Sequence, residues 1–282
     1  MVRNVVRSLS LWIGIAGTTT LMYFVGAPIF LVTAPFDPLR RIGHWYATRW
    51  GRILCALNAR WSVEVVGREK IPTDRPLVVV SNHQGVGDII AVYFLDVHFK
   101  WISKAANFYV PCMGWFMFHA GYIPLHRGRK DSIRRCMDRA RWYLDRGVSI
   151  LFFAEGTRSK DGSVLPFKGG AFKLAVDGQF DILPLGIGGT RDALPKNTWR
   201  FNEERTPMKV VVGDVISTRG LGDGDVAALA RRAREVVVAL KAEADARIDA
   251  ELGTAPAAAP NGVDRYEDPM LEARSSGALT QR

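Results

Sequence analysis

Cysteine is scarce in this chain: three among 282 residues, at positions 55, 112 and 136, with no Cys-x-x-Cys spacing. That excludes a disulfide scaffold and a thiolate metal site, and it predicts reduced, buried thiols in a catalytic domain facing the cytosol. Histidine is scarce too, at five, so each one counts when a group that titrates near neutral pH is sought. Acidic residues fall short of basic ones, 28 against 38, for a net charge of +10. Such an imbalance predicts an anionic partner: nucleic acid, a lipid surface or a phosphorylated substrate. No internal repeat and no nucleic-acid-binding module occurs, which excludes a solenoid and removes nucleic acid from the expected partners. Charge is absent altogether from residue 8 to residue 36. Apolar residues, by contrast, make up 48% of the chain, which excludes a disordered protein and suffices for one full α/β core with appendages.

The uncharged stretch sets the organisation of the N-terminus. Its core, 9–32, is long enough to cross a hydrocarbon layer as a helix and longer than the apolar region of a usual signal peptide. Basic residues flank it on both sides, Arg3 and Arg7 before, Arg40, Arg41, Arg49 and Arg52 after, so charge alone leaves its orientation open. Residues 38–58 follow with Leu39, Ile42, Trp45, Tyr46, Trp50, Ile53 and Leu54 at helical spacing and arginines between them. This is an amphipathic helix suited to a membrane surface rich in phospholipid. Two arrangements stay open: a spanning helix, or a hairpin dipping into one leaflet with both basic flanks on the cytoplasmic side. The expected division is a membrane anchor over 1–59, a catalytic domain over 60–252, and a disordered tail over 253–282, where an Ala-Pro run and scattered charge replace periodicity.

Within 60–252, short β-rich apolar runs alternate with helical patterns, which predicts a single α/β domain with a largely parallel central sheet flanked by helices. Candidate strands are 61–67, 77–81, 101–104, 121–125, 149–153, 182–187 and 209–212; candidate helices are 88–97, 130–145, 169–177 and 223–252.

Chemistry concentrates at two strand ends. In Val78-Val79-Val80-Ser81-Asn82-His83-Gln84-Gly85-Val86-Gly87-Asp88 a base and a carboxylate stand five apart directly after an apolar strand. Five positions do not bring side chains together on one helix face, so the pair must meet through a turn, which Gly85 and Gly87 make feasible. Asp88 at the start of the next helix then curls back to hold the His83 imidazole in one tautomer. No serine or cysteine nucleophile motif accompanies the pair. A second apolar run ends in Phe152-Phe153-Ala154-Glu155-Gly156-Thr157-Arg158-Ser159.

With Gly121-Tyr122-Ile123-Pro124-Leu125-His126-Arg127 between them and Ile182-Leu183-Pro184-Leu185 after them, these blocks resemble, in order and spacing, the four motifs of the glycerolipid acyltransferase family. Its best-known members are the 1-acyl-sn-glycerol-3-phosphate acyltransferases. The resemblance covers about residues 60 to 215, and it is most specific for Asn82 with the His-x4-Asp block and for 153–159.

The resemblance implies an O-acyltransferase without metal or bound cofactor, taking acyl-CoA or acyl carrier protein as co-substrate and acylating a lysophospholipid. Catalysis falls to His83 as base and Asp88 as its orienter. Asn82 or the backbone amides of 84–87 would supply an oxyanion site. Arg127, Glu155, Gly156, Thr157 and Arg158 would form the acceptor-binding block, Lys104 a supporting cation, and Pro184 the acyl-donor region. The second block departs from the usual pattern at Pro124 and His126, which leaves the acceptor open: lysophosphatidic acid leads, with glycerol-3-phosphate, another lysophospholipid or a lyso-aminolipid behind it. A non-catalytic scaffold binding anionic lipid is the reading from another class. Phe108 to Phe118 reads as core or as a wall for an acyl chain.

Overall fold

The computed structural model describes residues 2–159, 161–194 and 198–254; the tail expected to be disordered lies, from residue 255, outside the described residues. Two helices open the chain, α1 (Val2–Thr33) and α2 (Arg41–Leu57), followed by seven strands and six further helices. The strands are β1 (Trp61–Val66), β2 (Val78–Ser81), β3 (Phe99–Lys104), β4 (Ile123–Leu125), β5 (Ser149–Phe153), β6 (Ile182–Gly188) and β7 (Thr206–Val212). Between them lie α3 (Gly87–Val92), α4 (Met113–His119), α5 (Lys130–Leu144), α6 (Gly170–Gly178) and α7 (Thr190–Ala193), and α8 (Val226–Leu252) closes the described fold. They form one sheet in the order β1-β7-β6-β2-β5-β3-β4. Every neighbouring pair is parallel except β6 with β7, which run antiparallel.

The central strands read as apolar runs because both of their faces are covered. Val78 and Val80 of β2 join Ile150, Phe152, Tyr143 and Phe172 in a core under α5, α6 and α8. Val79, on the other face, joins Leu151, Leu183, Leu185 and Tyr93 under α2, α3 and α4, with Phe30 of α1 reaching into the same layer.

Helix α1 does not stand away from the domain. A stripe at spacings of three and four is tied down along its length: the Phe201 amide donates to Ser8 Oγ at 3.1 Å, Trp12 Nε1 to the Trp199 carbonyl at 2.7 Å, and Trp50 Nε1 to Thr19 Oγ1 at 3.0 Å. Tyr46 donates to the Met22 carbonyl at 3.0 Å, and Phe30, 2% exposed, stacks on His119. The opposite side of the helix is bare, with Ile13, Leu21, Phe24, Leu31 and Val32 exposed. Trp45 and Ile42 of α2, Tyr109 before α4, and Trp115 and Phe118 of α4 extend this uncovered apolar surface.

A buried polar cluster seats the turn between α1 and α2. Lys100 is fully buried and donates to the Arg40 carbonyl at 2.9 Å and the Ala120 carbonyl at 2.8 Å. Beside it, His44 bonds the Tyr122 hydroxyl at 3.2 Å through Nδ1 and the Val97 carbonyl at 3.0 Å through Nε2.

Candidate active site

Strands β6, β2, β5, β3 and β4 are parallel, so their carboxyl ends share one edge, the edge at which open α/β sheets bind ligands. His83 and Asp88 leave β2 there, the loop 154–159 leaves β5, Lys104 ends β3, Arg127 follows β4, and Thr190 follows β6.

His83 Nδ1 lies 2.6 Å from Asp88 Oδ2. The same oxygen accepts the amide protons of Gln84 at 2.7 Å and Gly85 at 3.0 Å, and Oδ1 accepts the Thr190 hydroxyl. Four donors thus converge on a carboxylate with no solvent exposure, which satisfies the rule that a buried charge be fully hydrogen-bonded. Since the carboxylate only accepts, His83 Nδ1 carries a proton, and the lone pair of the neutral ring falls on Nε2. The imidazole stacks on Phe153 at 4.2 Å between centroids and 22° between planes.

The backbone around the histidine is held as firmly. Its amide donates to Glu155 Oε1 at 2.7 Å, while the Leu165 amide donates to Oε2 at 3.1 Å. The His83 carbonyl receives the Ser159 amide at 2.9 Å. Glu155 is 3% exposed; burial pushes its carboxyl above the ordinary value, and the two amides only partly offset this. It therefore braces the His83 loop from inside and offers no surface to an acceptor. Gly156 takes a φ of +70°, and a side chain there would strike Lys168, whose chain crosses it.

Asn82 corrects an expectation. Its side chain donates to the Ile187 carbonyl at 2.9 Å and accepts the Ile187 amide at 2.8 Å, so it clamps β2 to β6 instead of facing an oxyanion. The amides of Gln84 and Gly85 are likewise spent on Asp88, which removes three of the donors the sequence offered. Gly85 and Gly87 serve differently from their expected use as well, since neither has a positive φ. A Cβ on Gly85 would stand 2.8 Å from the Thr190 carbonyl oxygen, and one on Gly87 3.2 Å from Thr190 Cβ. Both glycines admit a neighbouring segment.

The remaining residues divide by exposure. Thr157, Arg158, Arg127 and Lys104 are exposed at the carboxyl edge, and Arg158, Arg127 and Lys104 have no ion-pair partner among the described residues. Pro184 is buried inside β6, level with Val80, where its carbonyl accepts the Gly213 amide at 3.0 Å. It shapes the strand. A groove of about 500 Å³ opens among Tyr23, Phe108, Trp115, Phe118 and His119, between α1 and α4. Among the described residues no cluster of three or more His, Cys, Asp or Glu is placed to hold a metal.

Residues 62–188 match the Acyltransferase family. The chain carries an acyltransferase-family domain. It is 37% identical over 183 residues to a 1-acyl-sn-glycerol-3-phosphate acyltransferase of Chlamydomonas reinhardtii, covering 61% of this chain and 54% of that one. With the 1-acyl-sn-glycerol-3-phosphate acyltransferase alpha of Homo sapiens it shares 36% over 174 residues, 61% of each chain. The chain thus spans between half and two thirds of the length of these curated relatives. The crystal structure of the 1-acyl-sn-glycerophosphate (LPA) acyltransferase PlsC from Thermotoga maritima superimposes with a TM-score of 0.69 at 26% identity. That match covers 91% of this chain and 99% of the other. Two positions beyond the family match lies a residue that sequence reasoning missed, Thr190, whose hydroxyl reaches Asp88. The available signal was positional: the strand paired with β2 ends at Gly188 and Gly189 turns the chain, so the first polar side chain after them falls beside the His83 turn.

Proposed function

We propose that this chain transfers a fatty acyl group from acyl-CoA or acyl carrier protein to the sn-2 hydroxyl of lysophosphatidic acid, giving phosphatidic acid. The observation that carries this reading is the His83-Asp88 pair, with Nδ1 committed to a four-donor carboxylate and Nε2 left free at the ligand edge of the sheet. His83 Nε2 takes the acceptor hydroxyl proton as its oxygen attacks the thioester carbonyl. The C–O bond forms, the C–S bond breaks, and the imidazolium returns the proton to the departing thiolate. A thioester is already activated, so no acyl-enzyme is required. Asp88 orients the ring and stabilises its charge while it holds the proton. Arg127, Arg158 and Lys104 supply the positive charge for the acceptor phosphate, and the Thr157 hydroxyl adds a donor. The aromatic groove between α1 and α4 suits an acyl chain.

The same reading places the protein on a membrane, catalytic domain toward the cytoplasm. A helix docked along the domain on one stripe and bare on the other fits a single leaflet, lying beneath the domain with its apolar side in lipid. When the protein is added to preformed sealed vesicles, cysteines introduced at Val2 and Phe36 should both react with an impermeant maleimide. Protection of one end only would mean a spanning helix.

The decisive assay is thiol release from oleoyl-CoA by detergent-solubilised protein, with and without lysophosphatidic acid, beside His83→Ala. Acceptor-dependent release, lost by at least about a thousandfold in the variant, is expected for removal of a general base. Turnover undiminished in His83→Ala rejects the base. Faster release with glycerol-3-phosphate than with lysophosphatidic acid rejects the acceptor.

A further inference from the structure

We infer that Thr190 is a positioning residue of the acyl-transfer site: its hydroxyl fixes the second oxygen of Asp88, and through it the orientation of His83. Three independent features converge on it. The first is the bond itself, Thr190 Oγ1 to Asp88 Oδ1, between two side chains with no solvent exposure. The other three donors to Asp88 all meet Oδ2, so Thr190 supplies the hydrogen bond that holds the opposite oxygen and fixes the carboxylate plane from its second end. Rotation would swing Oδ2 out of the plane that His83 Nδ1 needs.

The second feature is the space made for it. Gly85 and Gly87, within the His-x4-Asp turn, are the residues whose missing side chains let Thr190 approach, as the 2.8 Å and 3.2 Å distances to a built Cβ show. The third is the delivery of the residue. Gly189 turns the chain out of β6 at a φ of +76°, where a Cβ would lie 2.1 Å from the Pro207 carbonyl oxygen, and Thr190 is the next residue, first in α7. Arg191, following it, donates to the Asp161 carbonyl, and Gln84 Nε2 reaches the Gly162 carbonyl at 3.3 Å. The Thr190 segment is therefore pinned on both sides, and a hydroxyl on a pinned segment is a fixed reference for Asp88. The partner of Thr190 lies 102 positions earlier in the chain.

The kinetic test rests on the acyl-transfer reading; a second readout does not. Thr190→Val keeps the shape and removes the hydroxyl, and Thr190→Ser keeps the hydroxyl. Thr190→Val should lower kcat by about tenfold or more, the size of one hydrogen bond to a charged group, with KM for lysophosphatidic acid within about twofold of wild type. Thr190→Ser should restore most of kcat. Wild-type kcat in Thr190→Val, or a serine variant no better than the valine one, overturns the role. Independently of any substrate, the His83 Nδ1 proton bonded to Asp88 gives a downfield proton resonance, assigned by its loss in His83→Ala. It should shift or broaden in Thr190→Val and stay in place in Thr190→Ser. A resonance unmoved in Thr190→Val overturns the inference even if the protein proves to use another acceptor, whereas a moved resonance with no acylation by wild type faults the substrate assignment alone.

Discussion

Asp88→Asn is expected to lower kcat by about a thousandfold while leaving the fold intact, because it removes charge without removing geometry. The amide can turn its oxygen toward the three N–H groups now held by Oδ2 and its nitrogen toward the Thr190 hydroxyl, which can accept. His83 keeps its tautomer, and all four contacts survive. What disappears is the negative charge that stabilises the imidazolium while it carries the hydroxyl proton, in a site where no water reaches Asp88 and charge interactions are strong. Asp88→Ala is a different experiment: it strands two amides, a hydroxyl and the imidazole, and should cost about 3 kcal/mol or more in stability. Steady-state rates and thermal melting on the two variants separate the effects. An asparagine variant within tenfold of wild type would remove electrostatic support from the mechanism.

The second large effect is on stability against pH. Burial, reinforced by the Lys100 charge, pushes His44 down to about 3 and His98 down to about 2. Both are neutral in the folded protein and protonate once unfolded, so the unfolded state binds more protons below pH 6.5. Stability should therefore fall as pH drops from 6.5, by up to about 1.4 kcal/mol per unit for each histidine. Lys100 acts in the next window. Burial, helped by Arg40, Arg41 and Arg139 and opposed by Asp37, brings it down to about 7 from 10.5. Between those values the unfolded chain holds a proton that the folded one has released, so stability rises with pH above 7. The rise ends near pH 9, where the Cys136 thiol, pushed up to about 12 by burial, stays neutral in the fold while its unfolded counterpart ionises. Urea midpoints at pH 5, 6.5, 8 and 9 should climb in that order. His98→Phe removes one of the two acid-side protons and two ring nitrogens buried without partners, and should roughly halve the slope below 6.5. An unchanged slope would mean that His98 is not buried neutral.

Much of this architecture was legible because the informative strands are short and buried on both faces. For β5 the apolar run 149–153 coincides with the strand, and β2 differs by one residue. Where reading failed, a local rule was overridden by packing. Strand β3 begins at Phe99, two residues before its sequence pattern, because Lys100 looks wrong inside a strand and is accepted only through the two carbonyls that receive its ammonium. Strand β7 begins at Thr206 despite Pro207, since it lies between β1 and β6 and is held in register by both. Helix α4 went unseen because its apolar residues lie all round, Phe116 buried and Phe118 exposed, so no stripe marked it. Of the site, the His83-Asp88 pair was readable since both members lie in one turn. Which of its neighbours were already spoken for was not, since Asn82 meets Ile187, Glu155 meets His83 and Asp88 meets Thr190 across 105, 72 and 102 positions.

Those distances have a consequence for how the molecule comes into being. The His83 amide waits for a carboxylate 72 residues downstream, the Asp88 carboxylate for a hydroxyl 102 residues downstream, and the Asn82 side chain for a backbone 105 residues downstream. During synthesis α1 emerges ahead of the sheet, and His83 with Asp88 follows soon after. Yet a nascent chain that stops short of β6 has His83 on an unbraced turn and a carboxylate still searching for a fourth donor. Contacts of such long range form late in folding. Helix α1 is thus made long before the His83 turn can be braced, and the full set of contacts on Asp88 arrives only once Thr190, just beyond β6, is in place.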